Sequence, residues 1–178
     1  MKKQPEVTAL TKLNIINTYF KLKQNGEKAT VGAICELAGY NRCTFYRYFS
    51  DTEQLLDEVE SEICNAFQNA IATNNSTSIS FEIIESFTEI YQHYGYYISV
   101  LLGTHGDPRF VKKMKSIVSP IASHILGNSS ESDTITQLKT EFLLSAVLAT
   151  ITKWYELEQP ISTIQLGKLI KEMLQQGV

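Results

Sequence analysis

Residues 30–56 read TVGAICELAGYNRCTFYRYFSDTEQLL, and the reading of this stretch decides the fold. Two short helical segments flank Gly39: Thr30 to Ala38, then about 42–49 after Asn41. Glycine accepts the left-handed backbone that a sharp helix-to-helix turn needs. Thr30 and Asn41 are residue types whose side-chain oxygens satisfy free amides at a helix start. Two helices joined in this way make a helix-turn-helix, whose second helix enters the DNA major groove.

The second helix has two chemically different faces. At about 100° per residue, Asn41, Phe45, Tyr48 and Phe49 share one side, suited to packing. Arg42, Cys43, Tyr46 and Arg47 lie opposite, with Thr44 at the margin. Arginine bonds guanine bidentately in the major groove, and Tyr or Thr hydroxyls bond phosphate oxygens. The alternative is an ordinary surface helix with a solvated Arg pair.

Upstream, Ala9, Leu13, Ile16 and Phe20 recur at helical spacing and Gly26 closes the pattern, so a first helix runs over about 7–25. Net charge is −3, but it is divided unevenly. Residues 1–50 hold eight Lys or Arg against three Glu, a net of +5, which leaves −8 for residues 51–178. A basic head on an acidic body points to a polyanion at the head, or to chance clustering. The three cysteines (Cys35, Cys43 and Cys64) lack a C-x-x-C spacing, so neither a disulfide framework nor a zinc site is expected. No apolar run approaches the roughly 20 residues that span a bilayer. The N-terminus lacks the apolar core of a signal peptide, so a cytoplasmic location is expected.

Downstream, a fourth helix starts at Ser50-Asp51 and carries Leu56, Val59, Ile63 and Phe67 before polar residues 74–78. Phe81, Ile84, Phe87 and Tyr91 mark a fifth helix ending near Gly95, and Tyr96 to Leu102 a sixth. Asp107-Pro108 caps a seventh, followed by a Gly127–Ser132 loop. An eighth covers about 133–157 and a ninth follows Pro160. No period-two stretch appears, so the expected fold is all-α with nine helices. The expected domains are a helix-turn-helix head over residues 1–50 and a helical body over 51–178.

The run Ala38-Gly39-Tyr40-Asn41-Arg42-Cys43-Thr44-Phe45-Tyr46-Arg47-Tyr48-Phe49 resembles the TetR/AcrR DNA-binding signature, A-G-V-S-x-G-T-F-Y-x-Y-F. Ile15, Ile16, Phe20, Gly26, Thr30, Ile34, Leu55 and Leu56 also fit, so the resemblance spans about residues 10–57. It implies a dimeric transcription regulator with an effector domain behind the head. It implies that Arg42 and Thr44 lie near base edges and that Thr30, Tyr46 and Tyr48 hold phosphates. Leu101-Leu102-Gly103 and Gly106-Asp107-Pro108 with Phe110 are similar to one Gram-positive branch of that family. Gly32 and Thr52 stand where the family favours cations, and Cys43 replaces a glycine. Two phosphate contacts fewer would flatten the salt dependence by about 0.9 each.

For the body, the resemblance implies an effector cavity, with Tyr91, His93, Tyr94, Tyr97, His105 and Trp154 as candidate lining. Aromatic walls with polar tips suit a flat or apolar small molecule. The alternatives are core packing at these positions and a body that senses a protein partner, with activation in place of repression. The eighth helix is apolar nearly all round. The eighth and ninth helices are thus the expected homodimer surface, unless the monomer buries them. The expected partner of the dimer is a double-stranded DNA operator. No catalytic motif, phosphate loop or acidic metal cluster is present, so no enzyme activity, cofactor or metal is expected.

Overall fold

The computed structural model of the protein describes residues 5–73, 81–126 and 133–176. The polar stretches expected at 74–78 and 127–132 lie outside the described residues. Those residues form eight helices and no strand: α1 Pro5–Gln24, α2 Val31–Ala38, α3 Arg42–Phe45, α4 Thr52–Thr73, α5 Phe81–Leu102, α6 Pro108–Leu126, α7 Asp133–Glu156 and α8 Thr163–Gln176.

The chain divides into two compact units: residues 1–62 with 103–106, and residues 63–102 with 107–178. In the first, α1 packs on α2 and α2 on α3. Ile15, Phe20, Ile34, Phe45, Phe49 and Leu55 are sealed from solvent. The Phe45 and Phe49 rings lie 5.7 Å apart, so the apolar side of the short helix is its buried side. Lys12 pairs with Glu58, and its ammonium stands 5.5 Å from the centre of the Phe49 ring. The Asp51 carboxylate accepts the Gln54 amide at 2.7 Å and caps α4, which holds that carboxyl below its ordinary range.

In the second unit α5 is central and touches α6, α7 and α8, while α6 lies along α7. Phe67 of α4 meets Phe87 and Tyr91 of α5 edge-on. Lys115 of α6 pairs with Glu141 of α7 and donates to the Ser145 hydroxyl at 2.8 Å. Ser162 and Gln165 satisfy each other's amides at the start of α8, a reciprocal cap.

The nine helices expected from the sequence are eight among the described residues, because the fifth and sixth are one. A mid-helix glycine costs about 1 kcal/mol against alanine, which is why Gly95 reads as an ending. Its role is spatial: a β-carbon there would stand 2.8 Å from the Tyr155 hydroxyl. The helix runs on and the missing side chain makes room for α7.

Candidate nucleic-acid interface

The turn that presents α3 is built by its own sequence. The Thr30 hydroxyl accepts the Ala33 amide at 3.2 Å and starts α2. Gly39 ends it at φ +72°, with the Tyr40 amide bonded to the Cys35 carbonyl and the Gly39 amide to that of Glu36. These two bonds are the left-handed helix stop that glycine favours. The Asn41 side chain then accepts from the Thr44 amide at 2.8 Å and starts α3.

The helix proper covers four residues, Arg42–Phe45, where the sequence suggests eight. The Arg47 and Tyr48 amides turn back three residues, to the Thr44 and Phe45 carbonyls, so the last turn tightens. Arg42, Cys43, Tyr46 and Arg47 are all exposed. Tyr46 is 56% exposed although its ring edge rests on Phe45. The Thr44 side chain is half-buried and its hydroxyl bonds Asn41. Thr30 is exposed with its hydroxyl committed to the cap. Tyr48 turns inward: its hydroxyl is buried and has no hydrogen-bond partner among the described residues.

Arg42 does not project straight out. Its Nη2 stands 3.3 Å from where a β-carbon of Gly32 would be. Burial raises the Cys35 thiol above its ordinary value, and the Arg42 charge draws it partly back.

The candidate lining of the body is not gathered in one place. An apolar cavity of about 140 Å³ lies in the second unit among Phe67, Ile84, Phe87, Met114, Leu144 and Ile151, with Thr88, Tyr91 and Thr163 as its polar members. Of the six residues singled out from the sequence, Tyr91 alone faces it. Trp154 joins Tyr91 on a separate, more open cleft of about 510 Å³, with its indole donating to the Ile161 carbonyl at 2.8 Å. His93 is exposed beside Tyr94, and Tyr97 lies beside Tyr96. His105 belongs to the first unit, against Gly26. Ile84, Phe87, Thr88 and Tyr91 were legible as one face, since they recur at helical spacing.

Residues 22–59 match the bacterial regulatory proteins of the tetR family. No curated protein matches the chain. Among solved structures, a TetR transcriptional regulator from Streptococcus agalactiae is 21% identical, with 95% of this chain and 96% of that one covered and a TM-score of 0.65. The fatty acid degradation regulator FadR from Bacillus halodurans is 15% identical, with 100% and 98% covered and a TM-score of 0.65. The dihydroxyacetone kinase operon activator DhaS is 18% identical, with 93% and 94% covered and a TM-score of 0.52. The head thus carries a tetR-family match over residues 22–59, and the chain shares its fold with TetR regulators along nearly its whole length.

Proposed function

We propose that the protein is a homodimeric repressor that binds an operator through α3 and releases it when a small molecule enters the body. The observation that carries the DNA reading is the exposed row Arg42, Cys43, Tyr46 and Arg47 on a helix fixed by two side-chain caps and a glycine stop. A net +5 over residues 1–50 draws that row to a polyanion. Thr30, Thr44 and Tyr48 complete the proposed contact set, with Tyr48 swinging its hydroxyl outward on binding.

The 140 Å³ cavity favours a small-molecule effector over a protein signal. No charged side chain among the described residues lines it, so the fitting ligand is uncharged and largely apolar. Tyr91 is the candidate that would touch the ligand there, since it lines the cavity. An apolar space of this size suits a benzene-sized molecule. The fold does not by itself set the sign of regulation, since DhaS is described as an activator. Repression relieved by effector is the reading proposed here.

Exposed Leu138 and Phe142 on α7 and Leu169 and Met173 on α8 supply an apolar face for pairing. Two copies would form a four-helix seam and set the spacing between half-sites.

Fluorescence anisotropy against a duplex of the gene's own upstream region, beside a scrambled duplex, tests the reading. Binding to the upstream duplex at least tenfold tighter is expected. Equal affinity for the two sinks it. Tyr46→Phe, which removes one phosphate-directed hydroxyl, should weaken both complexes several-fold and evenly.

A further inference from the structure

We infer that Arg42 grips a backbone phosphate and not a base edge, so that it sets the affinity of the head without setting its sequence preference. This rests on the DNA-binding reading above and refines one residue's part in it. The family resemblance implies the opposite role, and the placement of the side chain argues against it.

Arg42 is the first residue of α3. Side chains on a helix lean toward its N-terminal end, so from this position the guanidinium runs back off the helix start. It comes to rest over α2, where Nη2 lies 3.3 Å from the place of a Gly32 β-carbon. The Cys35 thiol, one turn further along α2, feels the same charge. The approach to Gly32 thus places the guanidinium over that helix.

Glycine is what permits this. Any side chain at position 32 would meet the guanidinium at a distance tighter than ordinary van der Waals contact. Arg42 makes no ion pair among the described residues, while Glu58 of the head is paired with Lys12 and Glu27 accepts from Asn25. Its donors are free for an external anion.

In a helix-turn-helix the first helix crosses the DNA backbone while the N-terminal residues of the second reach base edges. A guanidinium laid over the first helix sits on the backbone side. Its planar fork matches two oxygens of one phosphate. Gly32 leaves α2 without a cation of its own, and Arg42 supplies one from the neighbouring helix. Sequence preference then rests with side chains further along α3.

The test is a salt series of anisotropy titrations on the upstream and scrambled duplexes, with full-length wild type, Arg42→Ala and the double variant Arg42→Ala/Gly32→Lys. Circular dichroism melts confirm that each variant is folded. Arg42→Ala should lose about tenfold in affinity for both duplexes alike. The ratio between them should hold within about twofold, and the salt slope should fall by about 0.9. The double variant, with a cation rebuilt on α2, should regain the slope. A collapse of the ratio with the slope unchanged overturns the inference and leaves the DNA-binding reading standing. So does an Arg42→Ala protein that binds like wild type. Wild type that binds neither duplex overturns both.

Discussion

The imidazole of His105 closes over Gly26: a β-carbon at Gly26 would stand 2.8 Å from Nε2. Gly26 sits just past α1 at φ +73°, and His105 comes from the four-residue 103–106 segment that joins the first unit. Gly26→Ala meets two separate penalties. The left-handed backbone costs about 1–2 kcal/mol for a residue with a β-carbon, and the methyl group collides with the ring. In chemical denaturation, Gly26→Ala should therefore cost about 2 kcal/mol in wild type and visibly less in a His105→Ala background. Equal costs in the two backgrounds would show that the ring gives way freely.

Gly95 and Tyr155 make a second tight pair, inside the second unit. The Tyr155 hydroxyl is buried without a hydrogen-bond partner among the described residues. Tyr155→Phe removes an unsatisfied polar atom and opens space, so it should be neutral or stabilising by up to about 1 kcal/mol. Gly95→Ala should cost about 1–3 kcal/mol as an overpacking change. Most of that cost should disappear in the Tyr155→Phe background. A destabilising Tyr155→Phe would reveal a bonding role for the hydroxyl.

Alkaline pH should weaken the second unit through the same residues. Burial pushes the Tyr91 phenol well above its ordinary 10.0, and the nearby Tyr155 adds to the push. Burial alone raises Tyr155 strongly. A raised folded-state value means that the folded chain keeps a proton that the unfolded chain gives up. The stability it contributes is whole below about pH 10 and is lost as pH climbs from there toward the folded values. Melting temperature should fall above about pH 10, and it should fall less steeply for Tyr155→Phe. Parallel pH profiles for the two proteins would contradict this account.

Phe142 tests the pairing face. It is 77% exposed on α7, the most exposed large apolar side chain among the described residues. Phe142→Glu puts a charge where two copies are proposed to meet, and burying an unpaired charge is strongly unfavourable. Sedimentation should show a monomer at micromolar concentration where wild type is a dimer. Operator affinity should drop with it, because one head then holds one half-site. A Phe142→Glu dimer that still binds tightly would place the interface elsewhere.

The helix-turn-helix is legible in the sequence because its devices are local. Thr30, Gly39 and Asn41 act on backbone groups within three or four residues, so their chemistry and spacing suffice to locate the turn. The burial of Phe45 and Phe49 followed from helical periodicity for the same reason. The all-α class likewise follows from repeated 3.6-residue patterns. Other features depend on residues far apart in the chain. Gly95 reads as a helix end until Tyr155, sixty positions later, is seen to occupy the space beside it. Aromatic content points to Tyr94 and Tyr97, whereas the cavity is walled by aliphatic side chains with Phe67, Phe87 and Tyr91, brought together from five helices. His105 reads as a body residue, yet its segment packs with the head. The angle of Arg42 on α3 places it on the exposed face, and only Gly32 on the neighbouring helix shows over which surface its guanidinium rests. Caps, turns and periodicity are short-range and therefore written in order along the chain. Clearance, cavities and the course of a long flexible side chain are set by atoms that folding alone brings within a few ångströms.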